Sequence, residues 1–147
     1  MVKNNAYELL VAHQVKPSLQ RMALLDDLLQ NRTHPTVDEV YTRLSPKIPT
    51  LSKTTVYNTL RLFAEKGVAQ MLTIEEQRLR FDADMRPHAH FLCKKCGKVY
   101  DLFGAKHVVD NSIETIEGHQ VLETQVYYHG ICKKCLLKQN KITSLDN

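Results

Sequence analysis

The stretch Arg80–Asp101, RFDADMRPHAHFLCKKCGKVYD, sets two kinds of metal-binding side chain beside each other. Asp82, His88, His90 and Asp101 offer carboxylate oxygen and imidazole nitrogen, whereas Cys93 and Cys96 offer thiolate. Oxygen and nitrogen donors suit iron or manganese and sulfur donors suit zinc, so the stretch predicts two sites with different jobs. It also marks a boundary. From Asp82 to Pro87 the chain is polar and irregular, and Pro87 disfavours helix before it. The expected division is a first domain over residues 1–83 and a second over 84–147.

Cys93-x-x-Cys96 is answered downstream by Cys132-x-x-Cys135, which completes the cysteine complement of the chain. Each pair can put two thiolates on one side of a tight turn, and two pairs make a tetrahedron for structural zinc. A disulfide pair or a redox dithiol is the competing reading of the same spacing. Lys94, Lys95, Lys133 and Lys134 would offset the double negative charge of a zinc tetrathiolate. In the other group, His88 and His90 lie two apart in an extended segment, so both rings point to one side. Asp101 ends the strand after the cysteine turn and can swing back; Asp84 is a substitute for Asp82 or else a solvated carboxylate. His34, taken alone, reads as a helix-start residue before Pro35.

The second domain is expected to hold strands at His88–Leu92 and Lys98–Leu102 around the CKKCGK turn. A helix over Lys106–Glu117, ended by Gly118, follows, then an alternating strand over Val121–His129 and a short helix from Cys132. About sixty residues bury too little to be held by a core alone, so a metal, a partner subunit or both are needed.

Upstream, the pattern gives four helices and a hairpin. Ala6–His13 is a short first helix. Ser18 caps a second over Leu19–Leu29, with Met22, Leu25, Leu28 and Leu29 as its apolar stripe. Thr36 and Glu39 form a capping box for a third, in which Val40, Tyr41 and Leu44 pack inward. Ser52 opens a fourth, SKTTVYNTLRLFAEKG, stopped by Gly67. At roughly 100° per residue, Val56, Leu60 and Phe63 share its back, and Thr54, Tyr57, Asn58 and Arg61 its front. A helix entering the major groove needs that front of hydrogen-bonding groups, although an ordinary amphipathic surface helix has the same periodicity. Val68–Thr73 and Gln77–Asp82 then read as two strands, with Leu79 and Phe81 alternating against Arg78 and Arg80, and helices followed by a hairpin make the winged-helix layout. The wing arginines would lie near phosphate. The fold class is α+β, a winged helix followed by a small α/β domain.

The chain has 147 residues, is 43% hydrophobic and carries a net charge of +4. That charge says little, but Arg43, Lys47, Lys53, Arg61 and Lys66 form a local basic cluster that can meet phosphate, although a solvated helix face is the commoner reading of a charge run. No run reaches the length of a membrane span, and MVKNNAYELL lacks a signal-peptide core, so a cytoplasmic location without membrane contact is expected. In that compartment four cysteines favour zinc over disulfides.

Taken in order, KPSLQR, HPTVDEVY, TTVYNTLRLF, RFD, HAHFLCKKCGK and the last CKKC resemble the ferric uptake regulator family of bacterial metal-dependent repressors, over nearly the whole chain. The resemblance implies a homodimer whose subunits join a winged helix to a C-terminal dimerisation domain and bind a double-stranded DNA operator. It implies that the Ser52–Lys66 helix is the recognition helix with Tyr57 and Arg61 at the DNA, beside which the helix front and basic cluster put Thr54, Asn58 and Lys53, that Lys16 lies near the minor groove, that the four cysteines hold Zn(2+), and that His34, Asp82, His88, His90 and Asp101 hold regulatory Fe(2+) or Mn(2+). Aspartate at both 82 and 101, with HAH, is most similar to the peroxide-sensing branch, in which Fe(II) and hydrogen peroxide oxidise a ligand histidine, here His34 or His88. The iron-uptake branch, sensing Fe(II) without peroxide chemistry, is the alternative.

An enzyme is the rival class. A metal hydrolase needs an open coordination position and a placed base, and the chain has no HExxH, no Gly-rich phosphate loop and no Ser-His pair that would supply them. A winged helix that binds protein is a second rival, separated from a repressor by metal-dependent, salt-sensitive DNA retardation.

Overall fold

In a computed structural model, described over residues 2–104, 106 and 112–145, the chain divides into two compact units, Met1–Met85 and Arg86–Asn147. The first holds α1 (Val2–Ala12), α2 (Leu19–Gln30), α3 (Val37–Leu44), α4 (Lys53–Glu65) and the antiparallel pair β1 (Gln70–Leu72) and β2 (Arg80–Asp82). This is a winged helix, the β1–β2 turn being the wing.

Three of its helices start on side-chain caps legible in the sequence. Ser18 accepts the Arg21 amide and Ser52 the Thr55 amide. At α3 the capping box is complete: Thr36 Oγ1 accepts from Glu39 N–H and Glu39 Oε2 from Thr36 N–H, both at 3.2 Å. Each cap satisfies an otherwise orphaned helix-end amide. The core gathers Leu10, Leu24, Leu25, Leu28, Val40, Val56, Leu60, Phe63 and Phe81; full burial of each such side chain is worth roughly 1.5–3 kcal/mol. Arg43 does not join the phosphate-facing cluster expected of it. Its Nε and Nη2 grip both oxygens of buried Asp27, at 3.0 and 2.7 Å, across α2 and α3. The bond to Asp27 raises the guanidinium's already high pKa further.

The second unit is built on a three-stranded sheet ordered β4-β3-β7, of β3 (Ala89–Cys93), β4 (Val99–Leu102) and β7 (Tyr127–Gly130). β3 pairs antiparallel with β4 and parallel with β7, which requires a long crossover between them. α5 (Lys133–Leu145) follows. Gly97 closes the cysteine turn at φ 78°, a conformation open to glycine, and its amide bonds the Cys93 carbonyl at 2.8 Å.

Two expectations fail in the crossover. Residues 107–111 of the expected Lys106–Glu117 helix lie outside the described residues, but Thr115–Ile116 (β5) pairs with His119–Gln120 (β6) as a hairpin. Glu117 and Gly118, at φ 51° and 84°, form its two-residue turn. Both central residues at positive φ are the signature of a type I′ turn, so Gly118 makes a hairpin rather than ending a helix. The Val121–His129 strand is also shorter than its alternation suggests: the ladder begins at Tyr127, and Leu122 is 86% exposed. Among the described residues no helix is long and apolar enough to cross a membrane.

Candidate metal centres and nucleic-acid interface

The four cysteines come from two turns that the sheet brings together, since β3 delivers Cys93 and the step from β7 into α5 delivers Cys132 and Cys135. Their sulfurs lie within 4.8 Å of one another. Cys93 Sγ is 3.8 Å from Cys135 Sγ, and Cys96 Sγ is 3.8 Å from Cys132 Sγ. A Zn–S bond of about 2.3 Å in a tetrahedron gives an S···S edge of about 3.8 Å, so the donor set fits zinc. It does not fit a disulfide, whose sulfurs sit about 2 Å apart. Burial pushes the Cys93 thiol up, but backbone amides of Cys96, Cys132 and Lys95 outweigh it and bring the group down to about 6. The amides of Cys96 and Cys132 reach Cys93 Sγ at 3.4 and 3.2 Å. Such bonds favour thiolate, the form that binds metal. The four flanking lysines are exposed.

In the same unit His88, His90 and Asp101 converge. Asp101 has no need to swing back, because it lies directly opposite His90 in the β3–β4 ladder. His88 Nε2 and His90 Nε2 approach one oxygen of Asp101, Oδ1, at 3.1 and 3.3 Å. His88 Nδ1 lies 2.6 Å from the Arg86 carbonyl. A carbonyl only accepts, so Nδ1 carries a hydrogen, and Nε2 is the atom turned to the carboxylate. A ring N–H held by a backbone carbonyl is the usual support of a ligand histidine, so His88, His90 and Asp101 fit a metal ion. The His88 ring also stacks on Phe103, with centroids 4.5 Å apart.

In the first unit His34 and Asp82 meet, with Nε2 3.6 Å from Oδ2 and both side chains buried. Asp82 Oδ1 is held by the Asp84 amide at 2.9 Å. His34 is more than a helix-start residue: it takes φ 57° immediately before Pro35. Asp84 is not the solvated carboxylate of one sequence reading: it is buried and pairs with Arg32 at 3.3 Å.

On α4 the expected division of faces holds. Val56, Leu60 and Phe63 are buried, and Lys53, Thr54, Tyr57, Asn58 and Arg61 are exposed. Arg61 Nη1 donates to Tyr57 Oη at 3.1 Å. Lys53 pairs with exposed Asp38 at 3.2 Å, a contact of little energetic weight. Lys16 is exposed at the edge of a cleft of about 430 Å³, with Ser18, Gln20, Arg21, Thr55 and Thr59 around it. Gln20 and Arg21 are polar groups beside α4 that the sequence reading passed over. Of the two wing arginines, Arg78 is exposed, but Arg80 is buried and pairs with Glu75 instead of facing solvent.

The ferric uptake regulator family model matches residues 12–129. The chain is 37% identical over 125 residues to the peroxide-responsive repressor PerR of Staphylococcus aureus, covering 82% of each protein. It is similar in structure to the Campylobacter jejuni peroxide stress regulator, with a TM-score of 0.65 and 29% identity over 88% of this chain and 98% of that one. PerR from Streptococcus pyogenes, a structure described as the basis for peroxide sensing and gene regulation, matches with a TM-score of 0.51 and 27% identity, covering 91% and 92%.

Proposed function

The chain belongs to the ferric uptake regulator family, and from that premise we propose that it is a homodimeric, metal-dependent repressor that releases DNA on exposure to peroxide. The observation that carries this is the convergence of two imidazole nitrogens on one Asp101 oxygen, with the His88 ring held through Nδ1 by a backbone carbonyl. His34 and Asp82 from the first unit join His88, His90 and Asp101 from the second around one ion. Three imidazoles and two carboxylates suit Fe(II) or Mn(II), with availability rather than affinity deciding between them. When bound, the metal supplies the attraction between the two donor sets and, as iron, the oxidising chemistry with peroxide.

The residues do the rest. His34 and Asp82 fix the winged helix, and His88, His90 and Asp101 fix the dimer domain, so shared ligation sets the separation of the two α4 helices in a dimer. That separation must match successive major-groove half-sites of a near-palindrome. Clamped and open forms exchange, and better ligation in the clamped form shifts the population towards it. Tyr57, Asn58, Thr54 and Arg61 face base edges, while Lys16 and Lys53 face phosphate. His34 or His88 would take up an oxygen atom from peroxide on a ring carbon, which weakens that ring as a ligand and frees the head.

Zinc on Cys93, Cys96, Cys132 and Cys135 is structural, because four sulfurs leave no open position. Dimerisation through the second unit is supported by its exposed apolar side chains, Leu122, Leu137, Ile116 and Leu136, which are 86%, 54%, 52% and 46% exposed. A unit this small seldom leaves so much apolar surface without a partner.

The test is DNA retardation with Fe(II), Mn(II) or Zn(II), each before and after peroxide, followed by mass spectrometry. Fe(II)-loaded protein should lose DNA and gain oxygen on a His34 or His88 peptide, while Mn(II)-loaded protein should keep DNA. Release of DNA without such a mass change would reject peroxide chemistry and favour a plain iron-sensing repressor.

A further inference from the structure

Arg80 stands where strand alternation expects an outward wing residue, yet it is only 7% exposed. Its place on β2 explains why. Residues two apart on a strand share a face, so Arg80 and Asp82 lie on one side and Phe81 enters the core on the other. That one face holds His34 at both ends. Arg80 Nη1 donates to the His34 carbonyl at 3.0 Å, and Asp82 Oδ2 meets the His34 ring at 3.6 Å. The backbones are also joined: Thr36 bridges Arg80, and Phe81 N–H donates to the Pro35 carbonyl at 3.0 Å. His34 needs such holding, since a non-glycine residue at φ 57° persists only where its surroundings over-determine it.

The other end of the guanidinium reaches the wing. Arg80 Nε donates to Glu75 Oε1, and Arg78 Nη2 donates to Glu75 Oε2 at 3.0 Å. Burial pushes the Glu75 carboxyl up, but the bonds from Arg80 and Arg78 more than offset this and hold it below its ordinary value. Glu75 is therefore a carboxylate in the turn that joins the two wing strands. A continuous chain of charge-assisted bonds runs from the exposed wing turn, through a buried guanidinium, to the main chain of His34.

We propose that Arg80, anchored by Glu75, is a positioning residue that sets His34 in its ligand pose and couples the order of the wing turn to metal binding. The proposal rests on reading His34 as a ligand. Arg80 touches no metal; it acts through the His34 backbone.

The experiment uses full-length zinc-loaded protein and Mn(II) as the probe, with variants Arg80→Met, Glu75→Ala and His34→Ala. Mn(II) affinity is read by electron paramagnetic resonance, and amide exchange over residues 34–36 and 74–81 is read with and without Mn(II). Arg80→Met should keep its zinc, exchange faster at Thr36 and Phe81 even without manganese, and bind Mn(II) roughly 10–100-fold more weakly, the usual effect of losing a ligand's support. In the wild type Mn(II) should slow exchange in the wing turn, and in Arg80→Met it should not. Wild-type Mn(II) affinity and exchange in Arg80→Met, with His34→Ala impaired, overturns the proposal and leaves the ligand reading standing. Wild-type affinity in His34→Ala overturns the ligand reading itself. If Arg80→Met does not fold, Glu75→Ala decides: weaker Mn(II) binding with an uncoupled wing supports the proposal, and wild-type behaviour overturns it.

Discussion

Cys93 Sγ and Cys135 Sγ stand 3.8 Å apart, one at the end of β3 and the other in the first turn of α5. That separation equals the edge of a zinc tetrathiolate, and it ties the sheet to the closing helix. Zinc held there would be part of this unit's folding free energy; structural sites of this kind bind with about 10–16 kcal/mol. Cys93→Ser or exhaustive chelation should therefore cost the second unit its cooperative unfolding while the winged helix still melts. Metal analysis with calorimetry checks this: retention of two separate transitions in zinc-free protein would contradict it.

Arg43 and Asp27 give a second expectation. Asp27 is buried, and Arg43 meets both its oxygens. Removing the arginine strands a buried charge, so Arg43→Ala should lower stability by about 3 kcal/mol, the low end for a broken buried pair because the guanidinium is partly exposed. Denaturant unfolding measures the loss, and DNA affinity of the folded fraction should be unchanged. A large DNA defect without a stability loss would return Arg43 to the phosphate-facing cluster.

Arg61 and Tyr57 behave differently, being exposed on the front of α4 and bonded to each other. Arg61→Ala should weaken operator binding by about 1–3 kcal/mol if the guanidinium reads a base edge. Substitution of a phosphate contact would instead lower the salt slope by about one and spare discrimination between sequences. Titration at several salt concentrations, on operator and scrambled DNA, separates the two. No effect on either would remove this face from the DNA interface.

Glu75 provides a pH test with a definite sign. Its folded-state carboxyl lies below the ordinary value of 4.5. The charge therefore stabilises the fold above that value, and the contribution is lost as pH falls through the folded-state value. Comparing wild type with Glu75→Gln cancels the acid release of zinc, which both share. The difference in unfolding free energy should be constant near neutrality, begin to fall near 4.5 and be lost only once the pH lies below the folded-state value. A difference that grows on acidification would contradict the pairing of Glu75 with Arg80.

What the sequence made legible was local or covalently spaced. Ser18, Thr36 and Ser52 announce their helices because a cap acts on an amide within three residues. The cysteine pairs announce their turns because thiolate geometry depends on a two-residue gap. Arg80 was hidden because alternation records only side, not partner: a buried guanidinium needs Glu75 and the His34 carbonyl, and the latter is forty-six residues away. The hairpin at Thr115–Gln120 was hidden because Gly118 serves equally as a helix stop and as the second turn residue, and the positive φ at Glu117 decides between them. The Val121–His129 alternation overstated the strand because a ladder needs a neighbour, and β3 supplies one from Tyr127 onward.

In the proposed clamp, one ion joins His34 and Asp82 on the winged helix to His88, His90 and Asp101 on the second unit. The most direct measurement is operator affinity of His34→Ala against the wild type over a Mn(II) titration, with zinc content and Tm matched. With such a clamp the wild type gains DNA affinity as Mn(II) is added, and His34→Ala stays at its metal-free level. Equal affinity and equal response to Mn(II) in the two proteins would contradict it.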